Sequence, residues 1–251
     1  MISYAQNFED VILRRVFESQ SIGHYVDVGA FDPMFDSVTK HFYDQGWSGI
    51  NVEPNPRCYA LLEAARPRDH NVNCAASYSD GEPLLLTVPR EGPEGWATVS
   101  PQYREAVKQR CAQTADVQVS TLTLDTIISN SPLSGANIDF LKIDVEGFEY
   151  EVLTGIDLKR TRPTVIVVEA IAPGSRCTDQ PEYYAKQHDY LVAHKYSYRL
   201  FDGVNRYYLA DEHVGISDRL DAPANAMDDF VSFQMLYAGF VQGRAGVVNP
   251  M

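Results

Sequence analysis

The sequence predicts an α/β fold built on a mainly parallel sheet with helices on both faces. Short apolar runs alternate with helical patterns through most of the 251 residues, which is the rhythm of strands joined by helical crossovers. Two of the runs, "IDFLKIDV" and "PTVIVVEAI", are apolar almost throughout, as strands are when helices cover both their faces. The length suits one such domain, and residues 1–251 are read as a single unit.

The elements follow in order. "NFEDVILRRVF" places Phe8, Val11, Ile12 and Phe17 roughly on one face, with Asn7 as its expected N-cap, so residues 1–20 are expected to hold a leading amphipathic helix. Then come "HYVDVGA", "DSVTKHFYDQG", "GINVEPN", "RCYALLEAA" and "HNVNCAAS", read as strand, helix, strand, helix, strand. Residues 90–118, rich in Gly, Pro and charge, read as an irregular, lid-like insertion carrying one helix. The alternation resumes with "STLTLDTII", the strand "IDFLKIDV", a helix over residues 149–156 and the strand "PTVIVVEAI". "PEYYAKQHD" reads as a helix, and "YLVAHKYSYRLFDGVNRYYLA" as an antiparallel strand pair around Asp202, Gly203 and Asn205. "MDDFVSFQMLYAGF" has helical spacing, and residues 241–251 read as a poorly ordered tail.

Composition excludes some partners. A formal charge of −13 argues against nucleic acid as a substrate, because the phosphate backbone rewards cations. Cys58, Cys74, Cys111 and Cys177 contain no C-x-x-C pair and read as buried free thiols rather than a zinc site or disulfide framework. The start "MISYAQNFEDVILRR" lacks the basic, then apolar, pattern of a signal peptide, and no segment is apolar enough to span a bilayer. The expectation is a cytoplasmic protein without membrane insertion.

The stretch "YVDVGAFDP", residues 25–33, reads as a strand entering a tight turn. In doubly wound sheets ligands settle at the carboxyl ends of the strands, where a glycine lets backbone approach them. Gly29 is followed by Ala30, Phe31, Asp32 and Pro33, without the further glycines of a dinucleotide fingerprint, so NAD is disfavoured. Glu53 ends the next strand, 24 positions on, and suits ribose hydroxyls. An acidic pocket with one glycine matches a nucleoside carrying a positive sulfonium, S-adenosylmethionine (SAM), better than a dinucleotide. The alternative is that Asp27 caps a turn and Glu53 is a solvated strand end.

The strings "ISYAQNFEDVIL", "YVDVGAFDP", "DSVTKHFYDQGWSGINVEPNP", "STLTLDTI", "IDFLKIDVEGFEYEVLTGI" and "FDGVNRYYL" resemble, in order, the FkbM family of SAM-dependent methyltransferases. The resemblance implies a Rossmann-like class I methyltransferase sheet of seven mostly parallel strands, the last antiparallel. It implies methyl transfer from SAM to an oxygen, leaving S-adenosylhomocysteine (SAH), and members typically methylate sugar hydroxyls. It puts Asp27, Gly29 and Ala30 in the first cofactor turn, Glu53 and Pro54 at the ribose, and Asn55, Ala75 and Ala76 at the adenine. Asp36 and Ser37 would meet the methionine end, with Gln6 and Asn7 covering it. The sequence departs from the family at Phe31, where an Asn is usual, and at Ala97, where a serine is usual.

Asp144 at a strand end and Glu146 just beyond it are expected beside the methyl group, where either can accept the hydroxyl proton. Helix-dipole stabilisation is the plainer reading of Glu146. Glu169, ending the neighbouring strand, can bind acceptor hydroxyls or join Asp144 in holding Mg²⁺. His194 and His188 are candidate bases, and Arg206 and Tyr207 candidate sugar contacts. The expected partner is a sugar-containing acceptor; the oligomeric state is not legible. Three alternatives stand beside this: O-methylation of a non-sugar natural product, an NAD-binding oxidoreductase, and a catalytically silent binding module.

Overall fold

The computed structural model describes residues 1–91, 94–172, 175 and 180–246, with residues 94 and 242–246 described by their backbone alone. Seven strands form the main sheet: β1 (His24–Val28), β2 (Ser48–Val52), β3 (His70–Val72), β4 (Phe140–Ile143), β5 (Val165–Glu169), β6 (Tyr196–Phe201) and β7 (Asn205–Ala210). Their order across the sheet is β6-β7-β5-β4-β1-β2-β3. Strands β1 to β5 run parallel, and β7 lies antiparallel to both β5 and β6. This is the α/β fold with a mainly parallel sheet that the alternation of runs implies.

Eight α-helices accompany it: α1 (Glu9–Val16), α2 (Lys40–Asp44), α3 (Pro56–Ala65), α4 (Pro101–Arg110), α5 (Leu124–Ser129), α6 (Glu149–Leu153), α7 (Pro181–Ala193) and α8 (Phe233–Gly246) among the described residues. Side chains alternate across a strand, so each strand feeds two cores. Val26, Val28, Leu141, Ile143, Ile166 and Val168 bury against Leu124, Ile127, Val152 and Leu191 on one face. Tyr25, Phe140, Val165 and Val167 bury against Ile12, Leu13, Val16, Phe42 and Trp47 on the other. There Phe140 is ringed by Phe17, Tyr25, Phe42 and Trp47 at centroid distances of 5.0–6.2 Å.

Several expectations need correction. The leading helix occupies only Glu9–Val16, and Phe8, with φ 65°, takes the N-cap position instead of Asn7. The Glu9 carboxylate accepts the Asn7 N–H at 2.9 Å, so the first-turn acid reaches back and the Asn7 side chain is free to donate to the Asp202 carbonyl. Ile2–Ser3 form a short strand paired with Val231–Ser232. "HNVNCAAS" divides, because Ala75–Ala76 leave β3 and pair with Thr121–Leu122. The insertion is more regular than its composition suggests: Leu84–Pro89 and Thr114–Val119 form an antiparallel pair, with α4 between them in sequence. The final helix runs through residues 241–246, which were read as tail; residues 247–251 lie outside the described part. Cys74 and Cys111 are buried free thiols, Cys58 is buried, and Cys177 lies outside the described residues. Among the described residues no helix is long and apolar enough to cross a membrane.

Because four aromatic rings converge on it, Phe140 has no small neighbour able to refill its space. Phe140→Ala is expected to lower unfolding free energy by about 3–5 kcal/mol, measured by denaturant titration.

Candidate active site

The site begins with a charge inside the sheet. Asp27 on β1 pairs in register with Lys142 on β4, and alternation turns both toward the face that carries Tyr25 and Phe140. The Lys142 ammonium lies 2.9 Å from the Gly29 carbonyl oxygen, 3.3 Å from Asp27 Oδ1 and 3.6 Å from Asp144 Oδ2. Burial alone would depress the Lys142 pKa, but the Asp27 and Asp144 carboxylates outweigh it and hold the ammonium above its ordinary range. One buried cation therefore ties the turn after β1 to the turn after β4.

Gly29 makes that approach possible. Its φ is +78°, and a Cβ there would stand 1.9 Å from the Asp144 carbonyl oxygen, so any side chain would part the two strand ends. The Gly29 and Ala30 N–H groups donate to the Val52 carbonyl oxygen, which pins the same turn to β2. Glu53, immediately after β2, accepts from Phe31 N and Asn55 N, both at 2.8 Å. Burial pushes its carboxyl up to about 7, against the lowering effect of those two N–H groups.

These strand ends bound a cavity of about 230 Å³. Gly29, Glu53, Pro54, Asn55, Ala75 and Ala76 line it, as do Gln6, Asp36, Asp144 and Glu146. The insertion closes it with Trp96, Ala97 and Val99, and Thr98 donates to the Glu146 carbonyl oxygen at 2.8 Å. The start of α8 joins the rim, where Gln234 Nε2 donates to Asp36 Oδ1 and Phe233 packs on Phe35. Three lining residues, Phe31, Asp36 and Glu146, hold positive φ angles of 52–56° without being glycine. Such backbone persists only where surrounding contacts enforce it, and it gathers at ligand sites.

Carboxylates dominate the far end. Oxygens of Asp144, Glu146 and Glu169 lie within 4.8 Å of one another. Burial pushes the Glu146 and Glu169 carboxyls well up, and the Asp144 charge adds to both shifts. Glu149, at the start of α6, accepts from Val145 N and Gly147 N and from the Tyr183 hydroxyl at 2.8 Å. The group is chemically suited to a positive charge, to hydroxyl protons or to a divalent cation.

Not every residue singled out in the sequence reaches the cavity. Asp27 lies behind it as the partner of Lys142, and Ala30 is buried in the turn. Asn7 is committed to Asp202, and Ser37 is buried against the Arg66 guanidinium. His194 caps the end of α7, where its carbonyl accepts from Arg162 just before β5. That is the amino end of the parallel strands, about 15 Å from their carboxyl ends at ~3.3 Å per residue. His188 sits against Tyr208. Tyr207 is fully buried and its hydroxyl donates to Asp202 at 2.8 Å, while the Arg206 guanidinium lies over the Tyr184 and Tyr198 rings. Lys142, Glu9 and Trp96 line the cavity and were not singled out; for Lys142 the signal was present, as the one charge inside the apolar run "FLKI".

The Glu53 environment has a pH signature. In the unfolded chain its carboxyl ionises near pH 4.5, whereas in the fold it keeps its proton to about pH 7, so stability falls as pH rises between the two. From pH 5 to 7.5, Glu53→Gln is expected to lose about 2 kcal/mol less unfolding free energy than the parent, at ~1.4 kcal/mol per pH unit over the steep part of that window, read from denaturant titrations at each pH.

A family model described as the methyltransferase FkbM domain matches residues 27–200. The methyltransferase sdnD of Sordaria araneosa is 32% identical over 157 residues, 53% of this chain and 60% of that protein, so the match spans about three fifths of its length. Among solved structures, a precorrin-6y C5,15-methyltransferase from Geobacter metallireducens aligns over 81% of this chain and 87% of its own at 12% identity and a TM-score of 0.44. An O-methyltransferase from Bacillus cereus, solved with SAH, aligns over 80% of each chain at 13% identity and a TM-score of 0.39. With the family model covering more than two thirds of its residues, the chain belongs to the FkbM family of methyltransferases.

Proposed function

We propose that the protein is a SAM-dependent O-methyltransferase whose acceptor is the hydroxyl of a sugar, in a glycan, a polysaccharide or a glycosylated metabolite. The observation that carries the reading is a single cavity bounded on the β2 side by Glu53 and on the β4 side by Asp144 and Glu146, with the Gly29 turn of β1 between them. That donor set fits the methyl donor: carboxylate oxygens for ribose hydroxyls at one end, and negative charge for a sulfonium at the other. The small side chains of Ala75 and Ala76, with Leu86 and Trp96, offer an apolar slot for adenine, which hangs from the ribose on the side away from the sulfonium.

When bound, SAM supplies a methyl group made electrophilic by its positively charged sulfur. The residues supply position and proton transfer. Asp27, Lys142 and Gly29 fix the turn against which the donor lies, and alignment of the reacting atoms provides much of the rate. Transfer of that methyl to the acceptor oxygen would leave the carbon–sulfur electron pair on sulfur, and Asp144 or Glu146 would take the hydroxyl proton. Burial and the Asp144 charge hold the Glu146 carboxyl above its ordinary range, so it must be ionised before it can take that proton.

A second reading of the acid cluster is favoured by one observation, the third carboxylate that Glu146 adds to Asp144 and Glu169. Three oxygens at this spacing suit Mg²⁺, which would orient an acceptor diol. The preferred reading has the carboxylates bind hydroxyls directly. Activity that survives EDTA supports it, and activity lost to EDTA and restored by Mg²⁺ supports the metal.

SAH at 100 times its Kd is expected to stabilise the protein by about 2.7 kcal/mol in a thermal or denaturant melt, and NAD to leave it unchanged. Stabilisation by NAD alone would overturn the reading in favour of an oxidoreductase. Glu53→Ala is expected to weaken SAH about tenfold or more in calorimetry, at ~1.4 kcal/mol per tenfold. Asp144→Asn is expected to act mainly on kcat.

A further inference from the structure

A second cavity, of about 440 Å³, shares a wall with the first. The wall is the turn from Val145 to Glu149: Val145 and Glu146 line the first cavity, Gly147 and Glu149 the second. Residues identified in the sequence as binding cofactor or acceptor line the first cavity or lie elsewhere, and none lines the second. We propose that this second cavity seats the acceptor, and that the acceptor is an uncharged saccharide whose hydroxyl reaches Asp144, Glu146 and Glu169 past Gly147. The proposal rests on the methyl-transfer reading and adds to it the place and charge of the acceptor.

Gln187 on α7 points to a ligand. It is 95% buried and lines the cavity, yet its Oε1 has no hydrogen-bond partner. A buried carbonyl left without a donor is unfavourable, and a rotation that turned this amide toward the cavity would let a sugar hydroxyl supply the donor. The Tyr103 and Tyr183 rings meet edge to face with centroids 6.1 Å apart and give the cavity flat walls, the kind of surface on which a pyranose ring lies. Tyr103 can lie there only because residue 147 is glycine, since a Cβ would stand 2.2 Å from a Tyr103 ring carbon. The Tyr183 hydroxyl contacts Glu149 at 2.8 Å and lies 3.5 Å from Glu169, which links this cavity to the carboxylate cluster.

The lining also states what is refused. Among the described lining residues three acids, Glu149, Glu151 and Glu182, stand against one cation, Lys186, so a phosphate or diphosphate would enter against their net negative charge. A nucleotide-linked sugar is disfavoured for that reason. Among the described lining residues Ala172 is the one aliphatic side chain, which disfavours an apolar natural product. Gln102 and Gln187 bring amides that both donate and accept, matching vicinal hydroxyls, while the Gln180 amide is engaged by Ala172 N and Ser175 Oγ.

The test uses the whole chain with SAH or SAM. Probes are the methyl glycosides of glucose, galactose, mannose and rhamnose, with glucose 1-phosphate, UDP-glucose and hexanol as contrasts. Saturation-transfer NMR on the SAH complex is expected to show contact with at least one methyl glycoside and none with the contrasts. With that glycoside and SAM, Gln187→Leu and Tyr103→Ala are each expected to raise KM about tenfold, the loss of one buried contact at ~1.4 kcal/mol per tenfold, with the SAH Kd unchanged. Preference for the phosphorylated probes, contact with hexanol alone, or SAH binding without contact to any glycoside overturns the proposal. So does an unchanged KM in both variants, and Tyr103→Ala decides alone if Gln187→Leu loses its cooperative melt. Failure of SAH to bind at all overturns the methyl-transfer reading itself, which separates the two.

Discussion

The contact on which the rest of the site depends is the buried ammonium of Lys142. Two adjacent parallel strands, β1 and β4, both deliver polar groups to the carboxyl end of the sheet, and like charges there would push their turns apart. Lys142 lies among the Gly29 carbonyl, Asp27 and Asp144, so the negative ends share one cation. A buried ion pair is costly unless its geometry and hydrogen bonds are good. Here the ammonium donates to the Gly29 carbonyl and has two carboxylates at ion-pair distance, and the result is a fixed relation between the turn that would hold the donor and the carboxylate that would meet the acceptor. Gly29 is the complement of that contact, because only a residue without a Cβ lets the Asp144 carbonyl come so near.

Around this point the electrostatics are unbalanced by design of the fold. Glu146 and Glu169 crowd Asp144, and their carboxyls are held above the ordinary range by burial and by its charge. A site of this kind has a deficit of positive charge, which the sulfonium of the proposed methyl donor would supply. The same deficit extends into the neighbouring cavity through Glu149 and Tyr183. Attraction for a cation and a preference for hydroxyls over phosphates are two consequences of one distribution of charge.

The insertion between Pro89 and Val119 joins the two cavities. Its Trp96, Ala97 and Val99 close the first, while Gln102 and Tyr103 line the second. Thr98 holds the segment to the carbonyl of Glu146, and the antiparallel strand pair gives it a backbone of its own. A sheet of this type presents its strand ends openly, and a roof must come from elsewhere in the chain; here it comes from this segment and from the first turn of α8.

Local pattern determined the strands and most helices, because burial on two faces forces apolar runs and burial on one forces helical spacing. It also determined Gly29, Glu53, Asp144 and Glu146, since a turn glycine and acids at strand ends are legible one at a time. What it could not determine was partnership. Asp27 was legible as a polar residue in a strand, but its removal from the cavity by Lys142 is a contact across 115 positions. Tyr207 and His194 had suitable chemistry, yet pairing register buries the first and chain direction carries the second to the opposite end of the sheet. The second cavity draws on α4, α6 and α7, three elements with no local sign of meeting. Spacing in a sequence reports which face a residue prefers; only the closed fold decides which faces come together and what charge collects between them.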